Sequence, residues 1–248
     1  MGELTSGLLL TRISLAILFN KHIEYMNTTK MEHQNKENLY RLFAQIAHAL
    51  ANPHRLELLD LLTQAPRTVE ELALEAHMSV ANTSQHLQRL KRARLVTAVR
   101  EGQYIRYHLA DPAIAQLWLQ LRAVADQQLA EVGQALNTYR KRRHEFTGIT
   151  AVELLARLQT GDVVLLDARP TVEYDAAHIP GAISLPWNEV AQRLSELPLG
   201  KTIVAYCRGP YCVYADEALA LLAGAGWPVA RLEEGVVEWQ QAGFALAG

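Results

Sequence analysis

Residues 202–222 read TIVAYCRGPYCVYADEALALL, and this stretch decides the fold of the C-terminal half. Ile203 to Tyr206 is a short apolar run with the look of a buried strand. Cys207 ends it, a tight loop containing Gly209 and Pro210 follows, and a helix is expected from about Val213. A cysteine at such a junction lies among backbone N–H groups aimed at a common centre, ahead of a helix N-terminus. Both effects favour thiolate and bring a Cys pKa from about 8.5 into roughly 3.5–7.5. Arg208 adds positive charge next to it, suited to holding an anionic donor.

Cys207 and Cys212 are the only cysteines in the 248 residues. Two thiols in one short segment read as chemistry rather than as a disulfide framework, and they favour a reducing, cytoplasmic setting. Outward from the loop, Val163–Leu166 is a second buried-strand run. It alternates with helical patterns at Val152–Leu158, Val190–Leu197 and Ala215–Ala223, which is an α/β order with a parallel sheet.

The motifs LLDARPTVEYDAAHIPGAISLP (165–186), the Cys loop and GWPVARLEEGVVEW (226–239) together resemble the rhodanese domain over about residues 147–246. The resemblance implies that Cys207 is the nucleophile and takes sulfane sulfur from thiosulfate, a persulfide or a polysulfide as its own persulfide. A thiol then accepts that sulfur. It also implies that the backbone amides from Arg208 through Gly209, Pro210, Tyr211 and Cys212 to Val213 cradle the sulfur. Asp167, Arg169, Glu173 and His178 fall at positions that are largely architectural in the family, buried ion pairs and strand-end bonds, and Arg169 is also kept as a candidate substrate contact. Two departures stand out: Gly209 comes two residues after the cysteine, with Pro210 third, and Cys212 occupies the sixth loop position. Cys212 reads either as a small residue filling the loop end or as a thiol that attacks a Cys207 persulfide and locks the pair. Phosphatase chemistry would need a longer loop closed by arginine, and Cys212 and Val213 stand there instead.

The N-terminal half carries a different pattern. From Leu39 apolar residues recur at helical spacing, Asn52-Pro53 breaks that helix and starts the next, and Thr68 with Glu71 forms a capping-box pattern. A short helix should run from Val69 to about Ala76, and another from Val80 to Arg92 capped by Ser79. Two β-forming runs around Gly102 then make a hairpin. If Val80, Thr83, Leu87 and Leu90 face inward, Asn82, Gln85, His86 and Arg89 share the outer face and can meet base edges. Between Ala81 and His108 the basic residues are Arg89, Lys91, Arg92, Arg94, Arg100 and Arg106, against Glu101 alone, in a chain of net charge −2. That local excess is the footprint expected for phosphate contact, with Arg100 and Arg106 on the hairpin.

LANPHRLELLDLL (50–62), SVANTSQHLQRLKRARLV (79–96) and REGQYIRYHL (100–109) resemble the ArsR-type winged-helix repressors over about residues 37–138. The resemblance implies a homodimer on a double-stranded operator. Metal-sensing relatives use a Cys-x-Cys pair or His and carboxylates on the last helix. Here TVEELAL (68–74) stands in the first place, and there is no His between Pro112 and Arg143, so neither metal nor cofactor is expected.

Asp111-Pro112 starts a long amphipathic helix reaching Tyr139, with Ile114, Leu117, Trp118, Leu121, Val124, Val132 and Leu136 on its apolar side. A second subunit is its simplest cover. The expected organisation is a poorly ordered extension (1–34), an α+β winged helix (35–138), an exposed charged linker (139–147) and an α/β rhodanese domain (148–248). Leu8–Phe19 is apolar-rich but interrupted by Arg12 and too short to span a bilayer, so no membrane partner is expected. Met26 and Met31 are alternative starts. Two functions fit: a regulator whose rhodanese domain is its sulfur or redox input, or a sulfurtransferase whose winged helix tethers or autoregulates it.

Overall fold

In a computed structural model, the structure describes the backbone of residues 4–142 and 144–248. Side chains are described from residue 25 on, residues 28 and 143 apart. Two bodies are present, one ending at Ala51 and one running from Asn52 to Gly248. The first is a single helix, α1 (Leu4–Leu50). Residues 4–34 of the stretch expected to be a poorly ordered extension are therefore helical, continuous with the helix read from Leu39. No proline or turn pair interrupts it before Asn52-Pro53. The side chains of the Leu8–Phe19 run lie outside the described residues. Among the described residues no helix is long and apolar enough to cross a membrane.

The second body opens on α2 (Pro53–Gln64). Asn52 caps it by accepting from the Arg55 amide, and Pro53 takes the first turn, where its missing N–H costs nothing. The short strand β1 (Arg67–Thr68) leads into α3 (Val69–Glu75), whose capping box between Thr68 and Glu71 is fully formed. A turn through His77, in the left-handed region at φ 51°, leads to α4 (Val80–Arg92), capped by Ser79. The hairpin of β2 (Val96–Glu101) and β3 (Tyr104–Leu109) follows, and β3 also pairs with β1 in an antiparallel sheet. Leu58, Leu59, Leu72, Leu87, Leu90 and Val96 are buried at the centre of this winged helix.

The helix expected from Pro112 to Tyr139 is two helices, α5 (Pro112–Gln128) and α6 (Ala130–Tyr139). Leu129 between them is extended (φ −115°, ψ 98°). The break redirects α6 so that Leu136 and, just past its end, Arg140 become buried. Arg140, which the sequence places in an exposed charged linker, is buried.

The C-terminal half has five parallel strands in the order β4 (Gly148–Ile149), β8 (Val229–Leu232), β7 (Thr202–Tyr206), β5 (Val163–Asp167), β6 (Ile183–Ser184). Its helices are α7 (Ala151–Thr160), α8 (Thr171–Ala176), α9 (Val190–Arg193), α10 (Tyr214–Gly224) and α11 (Val236–Gln241). Alternation along β7 divides the core. Val204 and Tyr206 pack with Leu154 and Trp239 on one face. Ile203, Ala205 and Cys207 pack with Leu219 and Leu222 of α10 on the other. Cys207 thus leaves the carboxyl end of a central strand, where an open α/β sheet forms its crevice.

Candidate functional site

Cys207 is buried, and its sulfur lies 3.5 Å from the Cys212 carbonyl oxygen and 3.6 Å from Nη2 of Arg231. Burial by itself would raise the thiol. The Cys212 thiol, the Arg231 guanidinium and the Ala215 amide outweigh burial and bring Cys207 down to about 6. Cys212 moves the other way: burial, and then the neighbouring Cys207, push its thiol well above the ordinary range. One of the pair is held as thiolate and the other as thiol.

Arg231 was not foreseen. It is a charged residue at the centre of the short buried run VARL (229–232), and a charge there needs partners. That oddity was the available signal. Its Nη1 lies 2.6 Å from Asp216, and its Nη2 also reaches the Gly209 and Cys212 carbonyls at 3.3 Å. Asp216 is itself buried and shared: Arg140 meets it through Nε at 2.8 Å and Nη2 at 3.0 Å. Gly209, at φ +116°, takes a conformation that side chains disfavour. Gly235 is needed for closeness, because a Cβ there would stand 2.5 Å from the Arg208 carbonyl carbon.

The winged helix holds the cysteine loop from outside. Arg208 donates to Glu75, at the end of α3, at 2.5 Å and to Glu173 of α8. Arg67 of β1 pairs with the same Glu173. The Pro210 carbonyl accepts from Arg140 at 2.6 Å. The Tyr211 ring stacks under the Arg122 guanidinium of α5, 4.4 Å from its centroid, and Arg122 also bonds Glu238 of α11 at 3.2 Å.

Arg169 is fully buried: it is clamped on Asp167 at 2.6 Å, donates to the Ala177 carbonyl, and reaches Gln64 of α2 at 3.1 Å. The guanidinium of this candidate substrate contact is thus spent on structural bonds, one of them to the winged helix. Asp167 also accepts from Tyr206 at 2.6 Å, and His178 stacks on Tyr174. Val213 precedes α10 and is half-buried at the loop's end.

On α4, Gln85 and Arg89 are exposed and Asn82 is half-buried. His86 is corrected: it is buried with Thr83, Leu87 and Leu90, its ring 5.4 Å from that of His54. Burial first, then the nearby His54, Arg55 and Arg89, lower its pKa. Val80, expected inside, is exposed, and Gln88 joins the outer face. Arg100 is exposed at the hairpin tip and bonds the Gly102 carbonyl. Arg106 is committed elsewhere, to Glu71 and Glu101, both at 3.2 Å.

A thiolate loop at the end of a parallel strand, joined to a helix-turn-helix with a wing, defines a winged-helix regulator carrying a rhodanese-type domain. The family described as "Bacterial regulatory protein, arsR family" matches residues 52–98, and "Rhodanese-like domain" matches residues 150–242. The chain is 44% identical over 203 residues to the HTH-type transcriptional regulator Rv0324 of Mycobacterium tuberculosis, covering 82% of this chain and 89% of that one. It belongs to the ArsR family of transcriptional regulators, in the form with a C-terminal rhodanese-like domain. A sulfurtransferase of Allochromatium vinosum is 33% identical over 87 residues, 35% of this chain and 80% of that protein. Among solved structures, the homodimeric winged helix-turn-helix DNA-binding domain Mb0332 of Mycobacterium bovis is 40% identical. It covers 39% of this chain and 89% of that one, at a TM-score of 0.37.

Proposed function

We propose that this regulator binds operator DNA as a homodimer in the cytoplasm and that sulfane sulfur taken up on Cys207 alters that binding. The observation that carries the reading is the grip on the loop. Arg208, Pro210 and Tyr211 are held by Glu75, Arg140 and Arg122, all outside the rhodanese half. A loop that changes shape next to the cysteine has to disturb those three contacts.

The chemistry follows from the two thiol states. Cys207 thiolate attacks the outer sulfur of a donor R–S–SH, the S–S bond breaks, and R–S⁻ leaves with a proton as R–SH. Cys212 then attacks the Cys207 sulfur. A Cys207–Cys212 disulfide forms, and the outer sulfur leaves with the Cys212 proton as hydrosulfide, HS⁻. The Cys207 negative charge beside Arg231 is lost in the process.

The dimer rests on α5, where Leu117, Leu121 and Val124 form an exposed stripe at helical spacing. The reading surface is Gln85, Gln88 and Arg89 on α4 with Arg100 on the hairpin. A tenfold change in operator occupancy needs only about 1.4 kcal/mol of coupling.

The test is operator affinity, on a duplex selected from random sequence by the protein, for wild type, Cys207→Ser and Cys212→Ser before and after polysulfide. Wild type should shift and both mutants should not. Mass spectrometry should find a persulfide retained in Cys212→Ser and absent in Cys207→Ser. Unchanged affinity in all proteins, together with rapid sulfur transfer to a thiol, would favour a sulfurtransferase whose winged helix only tethers it.

A further inference from the structure

A cavity of about 700 Å³ separates the cysteine loop from the winged helix. Cys212 is the cysteine that borders it, and the Cys207 sulfur lies 3.5 Å from the Cys212 carbonyl oxygen. Leu56 and Leu61 of α2, Trp118 of α5 and Val132 of α6 form the far wall, and Tyr211 and Tyr214 flank the cysteine. The volume is that of a pocket for a small organic molecule, far more than a single inorganic anion occupies.

The charge on the lining argues in the same direction. Glu57, Asp60 and Glu75 line the space together with Arg122 and Arg208. Both guanidiniums are already neutralised: Arg122 pairs with Asp60 at 3.6 Å and Glu238 at 3.2 Å, and Arg208 pairs with Glu75 and Glu173. No uncommitted cation among these residues is left for a dianion such as thiosulfate.

We infer that this cavity binds the organic body of the sulfur donor, a neutral or cationic hydropersulfide with an aryl or alkyl group, and the thiol it becomes. The inference rests on the sulfur-acceptor reading above and names its substrate class. The terminal sulfur points past Cys212 to Cys207, which removes it as in the balanced step already given, and R–SH stays in the cavity. Because α2, α5 and α6 build the far wall, the rhodanese half alone has an incomplete site, and an occupant touches the DNA-binding half directly.

The probe is 2-phenylethanethiol, titrated into full-length Cys207→Ser with Trp118 fluorescence as the readout and Trp118→Phe as the signal control. Saturable quenching is expected. It should weaken about tenfold or more when Ala125→Phe or Val132→Phe fills the space, and thiosulfate should not compete. In otherwise wild-type protein, loading of Cys207 by 2-phenylethyl hydropersulfide should slow about as much in the filled variants. Loading by inorganic polysulfide should stay the same. Two filling positions guard against one variant that fails to fold. Equal thiol affinity in filled and unfilled proteins, or competition by thiosulfate, overturns the assignment. Cavity-dependent thiol binding with no persulfide on Cys207 from any donor overturns the sulfur-acceptor reading and supports the pocket.

Discussion

At the residue scale the central feature is a buried thiolate beside a buried guanidinium. An acid whose folded pKa is lowered gains stability above its unfolded value, near 8.5, and loses it as pH falls through the folded value of about 6. Thiolate absorbance of Cys212→Ser should therefore titrate well below the range of a free cysteine. Arg231→Lys keeps a charge for Asp216 but gives up the bonds to Cys207 and the two carbonyls, so the Cys207 midpoint should rise by about one pH unit. Asp216→Asn should move it the opposite way, because the carboxylate that partly neutralises Arg231 is gone. An Arg231→Lys midpoint unchanged from that of the parent would remove Arg231 from the site. Asp216→Asn also leaves Arg140 and Arg231 buried without their shared anion. Urea unfolding should show a loss of about 3–5 kcal/mol.

At the scale of elements, the reading helix and hairpin separate residues that the sequence grouped together. Arg89 is exposed on α4, so Arg89→Ala should relax base preference at a cost of about 1–3 kcal/mol. Arg106 bridges Glu71 and Glu101. Arg106→Ala should accordingly lower thermal stability and leave the salt dependence of DNA binding almost unchanged, whereas Arg100→Ala should flatten it. Fluorescence anisotropy across a salt series distinguishes them.

Most of these elements were legible because their signals are local. Asn52-Pro53, the Thr68–Glu71 box, the Ser79 cap and the strand before Cys207 each announce themselves within a few residues. His86 was misplaced because a period of 3.6 puts it at the border of the buried face, and its ring turns in toward His54. The break at Leu129 carries no glycine or proline. Its cause is distant: α6 must deliver Arg140 to Asp216, far ahead in the chain. Arg140 looked like part of a solvated basic run for the same reason, since neither its carboxylate nor the Pro210 carbonyl is visible from its neighbours.

At the scale of the whole molecule, the body from Asn52 to Gly248 joins a helix-turn-helix and a rhodanese-like domain through ion pairs. Glu75 is the member to test, since it ends α3 immediately before the turn into the reading helix. Burial raises its carboxyl, but the Arg208 guanidinium more than offsets this, so its pKa is lowered and it stays ionised. Glu75→Gln should leave persulfide formation on Cys207 from inorganic polysulfide intact and make operator affinity insensitive to it. A full response in that variant would exclude the Arg208–Glu75 bond as the route.

The grip of Glu75, Arg122 and Arg140 on the cysteine loop also bears on how such fusions can be built. A rhodanese domain from another protein, grafted after Arg140, would bring its own loop but no matched partners for these three side chains. Arg140 would lose both Asp216 and the Pro210 carbonyl, and under the proposed coupling the DNA-binding half would be deaf to its new passenger. The two halves are therefore not interchangeable parts. Any working hybrid must exchange the loop and the surface that holds it together.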